Sequence, residues 1–498
     1  MPKASTPSFI SEVKLQVNQD QQRTLLVRLD CARQLYNAVL GEAMKRLAVV
    51  RASAPYKAAQ ALPRLINEKP NPARKALFQE ARKLAAFSEY DLHAYATPLK
   101  HSWLGDHLDI NTVQKVATRA FKAVNDYAFG KHGKPRFKGK GQFGSVEGKT
   151  NASGIIWRNG AVRWLGLELK ASIDEKDTVL MHGLQSPLKY VRIVRRKFGE
   201  QFRWFAQLVC EGLPYLKHKI ASGVVGLDIG PSTIAIVSEQ TAELKTFCDK
   251  LQKRQQYIRR LQRKIDRSRR ATNPQHYNAN GTTQKGAGRW HNSKRYNKTA
   301  AAFSESSRKQ AAHRKTLHNQ MVNQILALGN TVKLEKLSYK AFQKMFGRSV
   351  AFRAPGMFVQ QLRRKAANAG GATVEFEPRS TRLSQTCVCG ALEKKLLRQR
   401  WHDCQCGVLI QRDIFSAWLA THVENGKLNA GQVLADWPNA ENRLRTALGV
   451  TQLASNKVRP VQGSSPQSEL SAFSNLSASE SHWFEQLSLF LLNELASS

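Results

Sequence analysis

Three acidic side chains, far apart in the chain, have the types and settings to do chemistry together. Asp228 lies in Val224-Val225-Gly226-Leu227-Asp228-Ile229-Gly230, Glu335 follows Thr331-Val332-Lys333-Leu334, and Asp413 stands in Arg412-Asp413-Ile414-Phe415. The first two close apolar runs that read as buried strands, and the third opens a helix pattern. A carboxylate at a buried strand end is costly unless it is paired or holds a cation. Three of them brought together suit two Mg²⁺ ions, which clamp the attacking and leaving oxygens of a phosphodiester.

A second constellation lies between the second and third acids. The chain holds seven cysteines, and four of them form Cys387-Val388-Cys389-Gly390 and Cys404-Gln405-Cys406-Gly407. Two such knuckles suit a four-thiolate Zn²⁺ site, because the glycines permit tight turns and bonds of about 2.3 Å draw the sulfurs together. One spacer residue stands inside each knuckle where two are commoner. His402, beside Asp403, is an alternative ligand. Zinc held by four thiolates leaves no position for water and would be structural.

The remaining chemistry is charge. Over 498 residues, 78 Lys+Arg stand against 37 Asp+Glu, a net charge of +41. An excess of that size repels itself and is best tolerated against a polyanion, so nucleic acid is the expected partner. The densest run is 250–270, with ten Lys/Arg and the single acid Asp266. Leu251, Ile258, Leu261 and Ile265 hold one face of that helix to the protein, leaving Lys253, Arg254, Arg259, Arg260, Arg263, Lys264 and Arg267 for phosphates. A Gly-rich segment adds Lys134, Arg136 and Lys138, and a hairpin ending at Cys210 alternates basic residues with Phe202, Trp204 and Phe205. Those aromatics fit stacking on bases or the hairpin's own core equally well. His132, His313 and His318 read as ordinary. The N-terminus has no signal-peptide pattern, and no apolar run reaches the length of a membrane span. An odd total of cysteines, four of them clustered, in so long a chain indicates a reducing cytoplasm.

These residues must be positioned by several domains. Residues 8–28 alternate as strands about a turn at 18–22, and helical periodicity then runs from Cys31 to about 129. Within it a helix starts at Asn111 as N-cap, with Val113, Val116, Ala117, Ala120, Val124 and Tyr127 as its stripe. Short strands fill 153–220 as a small barrel or sheet. Strands at 222–248, helices over 249–327, a strand at 331–335, a helix near 355–369, a strand at 372–377 and a helix from 413 make an α/β pattern. Eight serines in 464–481 read as a disordered linker, and Phe484, Leu487, Leu491 and Leu495 as one face of a short helix.

At these residues the sequence is similar to the TnpB family of transposon-encoded RNA-guided nucleases and to the compact type V CRISPR nucleases. The likeness lies in Gly226-Leu227-Asp228-Ile229-Gly230, Leu334-Glu335-Lys336-Leu337, Leu383-Ser384-Gln385-Thr386-Cys387-Val388-Cys389-Gly390 and Arg412-Asp413. In order, these resemble the three RuvC acidic motifs with a zinc ribbon before the third. A weaker likeness rests on Leu35-Tyr36-Asn37 and Lys134-Pro135-Arg136-Phe137-Lys138. After Asp413 the family usually has Asn-Ala-Ala, where this chain has Phe415-Ser416-Ala417.

The resemblance implies a multidomain α/β fold. A β-barrel wedge domain would span 1–30 and 130–220, with a helical recognition domain inserted at 31–129. An RNase H/RuvC-like nuclease domain would span 221–380 and 408–437, with the zinc-ribbon module at 381–407 and a tail at 438–498. It implies an RNA-guided DNA endonuclease of the prokaryotic cytoplasm, in which guide RNA pairs with unwound double-stranded target DNA next to a short flanking motif. Asp228, Glu335 and Asp413 would hold two Mg²⁺, Cys387, Cys389, Cys404 and Cys406 one structural Zn²⁺, and the protein would act as a monomer or homodimer on one RNA. The alternatives are a guided DNA-binding repressor, a DNA-cutting transposase, and an actin-like ATPase whose first phosphate loop would be Gly226–Gly230 with Ser232 and Thr233.

Overall fold

A computed structural model describes residues 6–447, except 397 and 398 and the side chains at 249, 252 and 253. The strand Ser8–Leu15 alternates buried and exposed side chains and pairs antiparallel with Gln201–Glu211 along its whole length, from Ser8↔Glu211 to Leu15↔Trp204. Gln201–Glu211 is the second arm of a hairpin with Leu188–Phe198, turned at Gly199 with φ of 63°. The complete sheet has seven strands in the order 145–147, 188–198, 201–211, 8–15, 167–172, 161–164 and 156–158. It curls until Ile156–Arg158 packs on Leu188–Phe198, but its two edge strands do not pair with each other. The result is an open, curled sheet; the expected barrel does not close by a hydrogen-bond ladder.

The first strand is followed by a helical insertion: Gln19–Ala52, Ala54–Ala61, Pro72–Leu84, Glu89–Leu99 and Ile110–Ala128. The second strand expected within 8–28 is therefore the start of a long helix. Asn18 caps it in a reciprocal box with Gln21, which satisfies free N–H groups at the helix start and overrides the β-rich look of Leu25-Leu26-Val27. The cap of the last helix is Asp109 rather than Asn111. Asp109 accepts from the Thr112 N–H at 3.1 Å and from the indole N–H of the buried Trp164 at 2.8 Å, while Asn111 donates to Ser153. The stripe Val113, Val116, Ala117, Ala120 and Val124 is buried as expected. Helices and curled sheet share one hydrophobic core, from Leu25 and Leu35 through Trp164 to Cys210. Asn37 joins the two sequence segments that carried the weaker resemblance, donating to the Lys138 carbonyl at 2.9 Å and accepting from the Lys138 N–H at 2.8 Å.

The second half is built on a five-stranded sheet in the order 242–246, 233–238, 224–229, 331–335 and 372–376. The first three strands are antiparallel neighbours, whereas 224–229, 331–335 and 372–376 run parallel. One face buries Val322, Ile325, Phe358 and Leu362 from the helices Lys294–Leu326 and Pro355–Asn368. The other buries Ile414, Phe415, Trp418 and Leu444 from Arg412–Thr421 and Ala430–Thr446, together with the cysteine segment. Ala430–Thr446 runs through the expected boundary at 437. Gln252–Thr272 pairs with Lys294–Leu326 as a long helical hairpin. The serine-rich linker and the amphipathic segment ending at Leu495 lie outside the described residues. Among the described residues no helix is long and apolar enough to cross a membrane.

Candidate functional site

The sheet brings two of the acids side by side. Parallel pairing matches Val224 with Thr331 and continues to Leu227 with Leu334, so Asp228 and Glu335 are the next residues of adjacent strands. The third acid is placed by a close packing contact. A Cβ built on Gly226 would lie 1.9 Å from the Ala417 carbonyl oxygen and 2.9 Å from the Thr421 methyl, so the helix Arg412–Thr421 rests directly on the strand at that glycine. Asp228 is two residues beyond Gly226 on the same strand face, about 6.6 Å away. Asp413 is four residues before Ala417 on the same helix face, about 6 Å away. The two displacements are of similar length, and the charges of Asp413 and Glu335 both act on Asp228. Gly226→Ala is accordingly expected to force helix and strand apart, at a cost of about 3 kcal/mol, and to lose any chemistry needing both acids. Chaotrope unfolding of the variant checks this, and wild-type stability would refute the contact.

All three side chains are half-buried. None of their oxygens is among the buried polar atoms left without a partner. Burial, then the negative charges of Asp413 and Glu335, push the Asp228 carboxyl well above the usual carboxylate range, only partly offset by Arg412 and Arg400. Burial also raises Glu335. Arg412 and Arg400 approach Asp413 at 3.5 and 3.7 Å. The sequence reading assigned these arginines no role: Arg400 reaches the acids only because the hairpin Trp401–Asp403 with Leu409–Gln411 folds it back, its carbonyl accepting from the Arg412 N–H at 2.8 Å. The carboxylates do not converge on one point. Among the described residues only the four cysteines bring all their ligand atoms within 4.8 Å of one another.

In that cluster Cys387 Sγ is 3.5 Å from Cys406 Sγ, and Cys389 Sγ is 3.7 Å from Cys404 Sγ. A tetrahedron of thiolates about one zinc has edges of about 3.8 Å, so the sulfurs stand near metal-binding spacing. Each knuckle is a turn closed by Gly390 N–H to Cys387 O at 3.0 Å and Gly407 N–H to Cys404 O at 2.9 Å. Both glycines take the left-handed conformation, with φ of 83° and 92°. The single spacer residue is accommodated because these short sulfur contacts run between knuckles, not within one. The Cys406 N–H pulls the Cys404 thiol down to about 7, whereas burial raises Cys387. His402 is not a ligand. Its ring lies 4.8 Å from Phe415, Lys395 Nζ donates to its Nδ1 at 2.6 Å, and burial lowers its pKa to about 4.

On the helix Gln252–Thr272, Arg254, Arg259, Arg260, Arg263, Lys264 and Arg267 are exposed, while Ile258 and Leu261 are buried and Ile265 is half-buried. The side chain of Lys253 lies outside the described residues. Asp266 pairs with Arg270, so the exposed row faces solvent with little acid to neutralise it. Lys134 and Arg136 are exposed; Lys138 is half-buried, held through its backbone by Asn37. In the hairpin, Trp204 is core, whereas Phe202 and Phe205 carry the guanidiniums of Arg195 and Arg196 at 4.5 and 5.0 Å.

Residues 356–419 match the family model described as Cas12f1-like, TNB domain. That span contains the final helix of one sheet face, the strand 372–376, the whole cysteine module and Asp413. No curated protein matches the chain. Among solved structures, "Cryo-EM structure of the Cas12f1-sgRNA-target DNA complex" is similar at 12% identity and a TM-score of 0.45, covering 84% of this chain and 99% of that one. "Cryo-EM structure of CRISPR-Cas12f Ternary Complex" is similar at 12% identity and a TM-score of 0.29, covering 85% of this chain and 100% of that one. The motif resemblance and the family match agree: the chain is similar to the compact TnpB and type V Cas12f-like effectors, with residues 356–419 as the matched part.

Proposed function

We propose that this protein is an RNA-guided DNA endonuclease that cuts phosphodiesters at Asp228, Glu335 and Asp413. The observation that carries the reading is the meeting of three carboxylates from distant segments, close enough for Asp413 and Glu335 to raise Asp228. A cluster of like charges offset only in part by Arg412 and Arg400 suits divalent cations, and its spread beyond a single point fits two Mg²⁺ better than one. When bound, the ions would supply Lewis-acid stabilisation of the attacking and leaving oxygens. Asp228 and Glu335 lie on neighbouring strands, and Asp413 joins them from the helix. Arg400, more than half exposed beside Asp413, is placed to meet a phosphate oxygen as a strand enters. The four cysteines would hold a structural Zn²⁺ that fixes the hairpin bearing Arg400.

The curled sheet is the wedge domain in this reading, and the helices 19–128 the recognition insertion, which together would contact the flanking DNA motif. The guide RNA and its DNA heteroduplex would be held by backbone contacts along the exposed basic row, in keeping with the +41 charge and with the family matched over 356–419. Reversing Arg259, Arg260 and Arg263 to Glu is expected to weaken nucleic-acid binding and flatten its salt dependence by about three in log–log slope. An unchanged slope would return that row to a solvated face. Sequencing of the RNA that co-purifies with the protein tests the guided reading: a single species with a constant folded part and a variable end is expected, and only random cellular RNA would overturn it.

A further inference from the structure

The connection between the two arms of the long helical hairpin, residues 273–293, forms an ordered knob without a hydrophobic core. None of its apolar residues belongs to a core cluster of the described residues. Polar bonds and stacked cations hold it instead. Asn273, fully buried, donates to the carbonyls of Arg269 and His291 at 3.0 and 2.9 Å and accepts from the His291 N–H at 2.7 Å, clamping the two ends of the loop. His276 faces the Arg289 carbonyl at 3.2 Å, and Tyr277 bridges to Thr283. Trp290 collects the rest: the Arg269 guanidinium lies 3.7 Å from its ring centroid, the His276 ring 4.7 Å and the Tyr277 ring 5.7 Å. Arg270 lies over Tyr277 at 4.8 Å.

Charge makes this knob more than a loop. Residues 263–298 hold ten Lys/Arg and one acid, Asp266, which is taken by Arg270. Arg269 and the exposed Arg289 have no acidic partner among the described residues. A guanidinium stacked flat on an indole keeps its N–H edge free for a phosphate and loses little freedom on binding one. Trp290 is half-buried with three neighbours already on it, so it offers no open platform for a base.

We propose that the knob is a docking site for the phosphodiester backbone of a nucleic-acid duplex, recognised by charge and shape rather than base identity. Arg269 and Arg289 are its phosphate ligands, and Trp290 is the positioning residue that presents Arg269. The proposal rests on the nucleic-acid reading above and adds a site to it.

The test uses full-length protein stripped of bound RNA and three labelled probes: a short RNA duplex of mixed sequence, the same sequence as DNA duplex, and a thymidine single strand. The variant Arg269→Gln/Arg289→Gln is expected to weaken duplex binding about tenfold or more at moderate salt and to lower the log–log salt slope by about two. Trp290→Ser should behave as Arg269→Gln does alone, and Trp290→Phe should restore wild-type binding. Arg289→Gln, at an exposed position, should lower the slope by about one without touching the fold. Loss on the RNA duplex alone assigns the knob to folded RNA, and loss on both duplexes to any duplex backbone. A wild-type slope on every probe, or a loss confined to the single strand, overturns the proposal. Failure of the wild-type protein to bind any probe would instead remove the nucleic-acid reading beneath it.

Discussion

Asp228→Asn is expected to abolish DNA cleavage, by about a thousandfold or more (~4 kcal/mol of barrier), while guided DNA binding changes by no more than about twofold. The side chain sits beside Glu335 on the paired strands and two residues beyond the Gly226–Ala417 contact. Asparagine keeps the shape and removes the charge. The same change should raise the thermal midpoint of the metal-free protein, because burial and two neighbouring carboxylates disfavour the ionised aspartate. A carboxyl raised in the folded state favours folding while protonated, and that contribution is lost as pH climbs from the ordinary value near 4 through the folded value. Metal-free wild type should therefore lose stability across that window, and the asparagine variant should lose less. Mg²⁺ should raise the wild-type midpoint and leave the variant nearly unmoved. A variant that cuts at the wild-type rate, or that melts lower than wild type without metal, would contradict the assignment.

Cys387→Ser is the second large effect. Zinc content is expected to fall from about one ion per chain to none, stability by more than ~4 kcal/mol, and cleavage to background. The loss should reach the acids because the cysteine hairpin runs directly into them. The Arg412 N–H to Arg400 carbonyl bond closes the hairpin one residue before Asp413. Thiols must lose their protons to bind metal, and burial of Cys387 resists this, so zinc uptake by stripped protein should rise steeply with pH. Metal analysis with chaotrope unfolding decides the matter. Unchanged stability and full activity in a zinc-free variant would show the module to be dispensable.

The acids were legible in the sequence because each sits where periodicity changes: Asp228 and Glu335 at the ends of apolar strands and Asp413 at a helix start. Their common face was not. It depends on a glycine whose Cβ, if present, would lie 1.9 Å from a carbonyl oxygen nearly two hundred residues away in the chain, and nothing local marks that partner. Arg400 was missed for the same reason, since only the register of Trp401 with Gln411 turns it toward Asp413. The error at 18–28 was of another kind. Asn18 and Gln21 spell a capping box, and the β-branched and apolar residues after it drew the reading to a strand. Asp109 and Asn111 are both good caps. The indole of Trp164, from a distant strand, selects the first. Whether the first sheet closes into a barrel depends on whether its two edge strands pair, which alternation along single strands does not encode.

The most direct measurement is cleavage in Mg²⁺ by the purified protein with its co-purifying RNA. The two substrates are a plasmid matching the variable end of that RNA beside randomised flanking bases, and a scrambled plasmid. The account predicts cutting of the matched plasmid only, confined to particular flanking sequences and stopped by chelation. Cutting of both plasmids alike, or of neither by an intact protein–RNA complex, would contradict it.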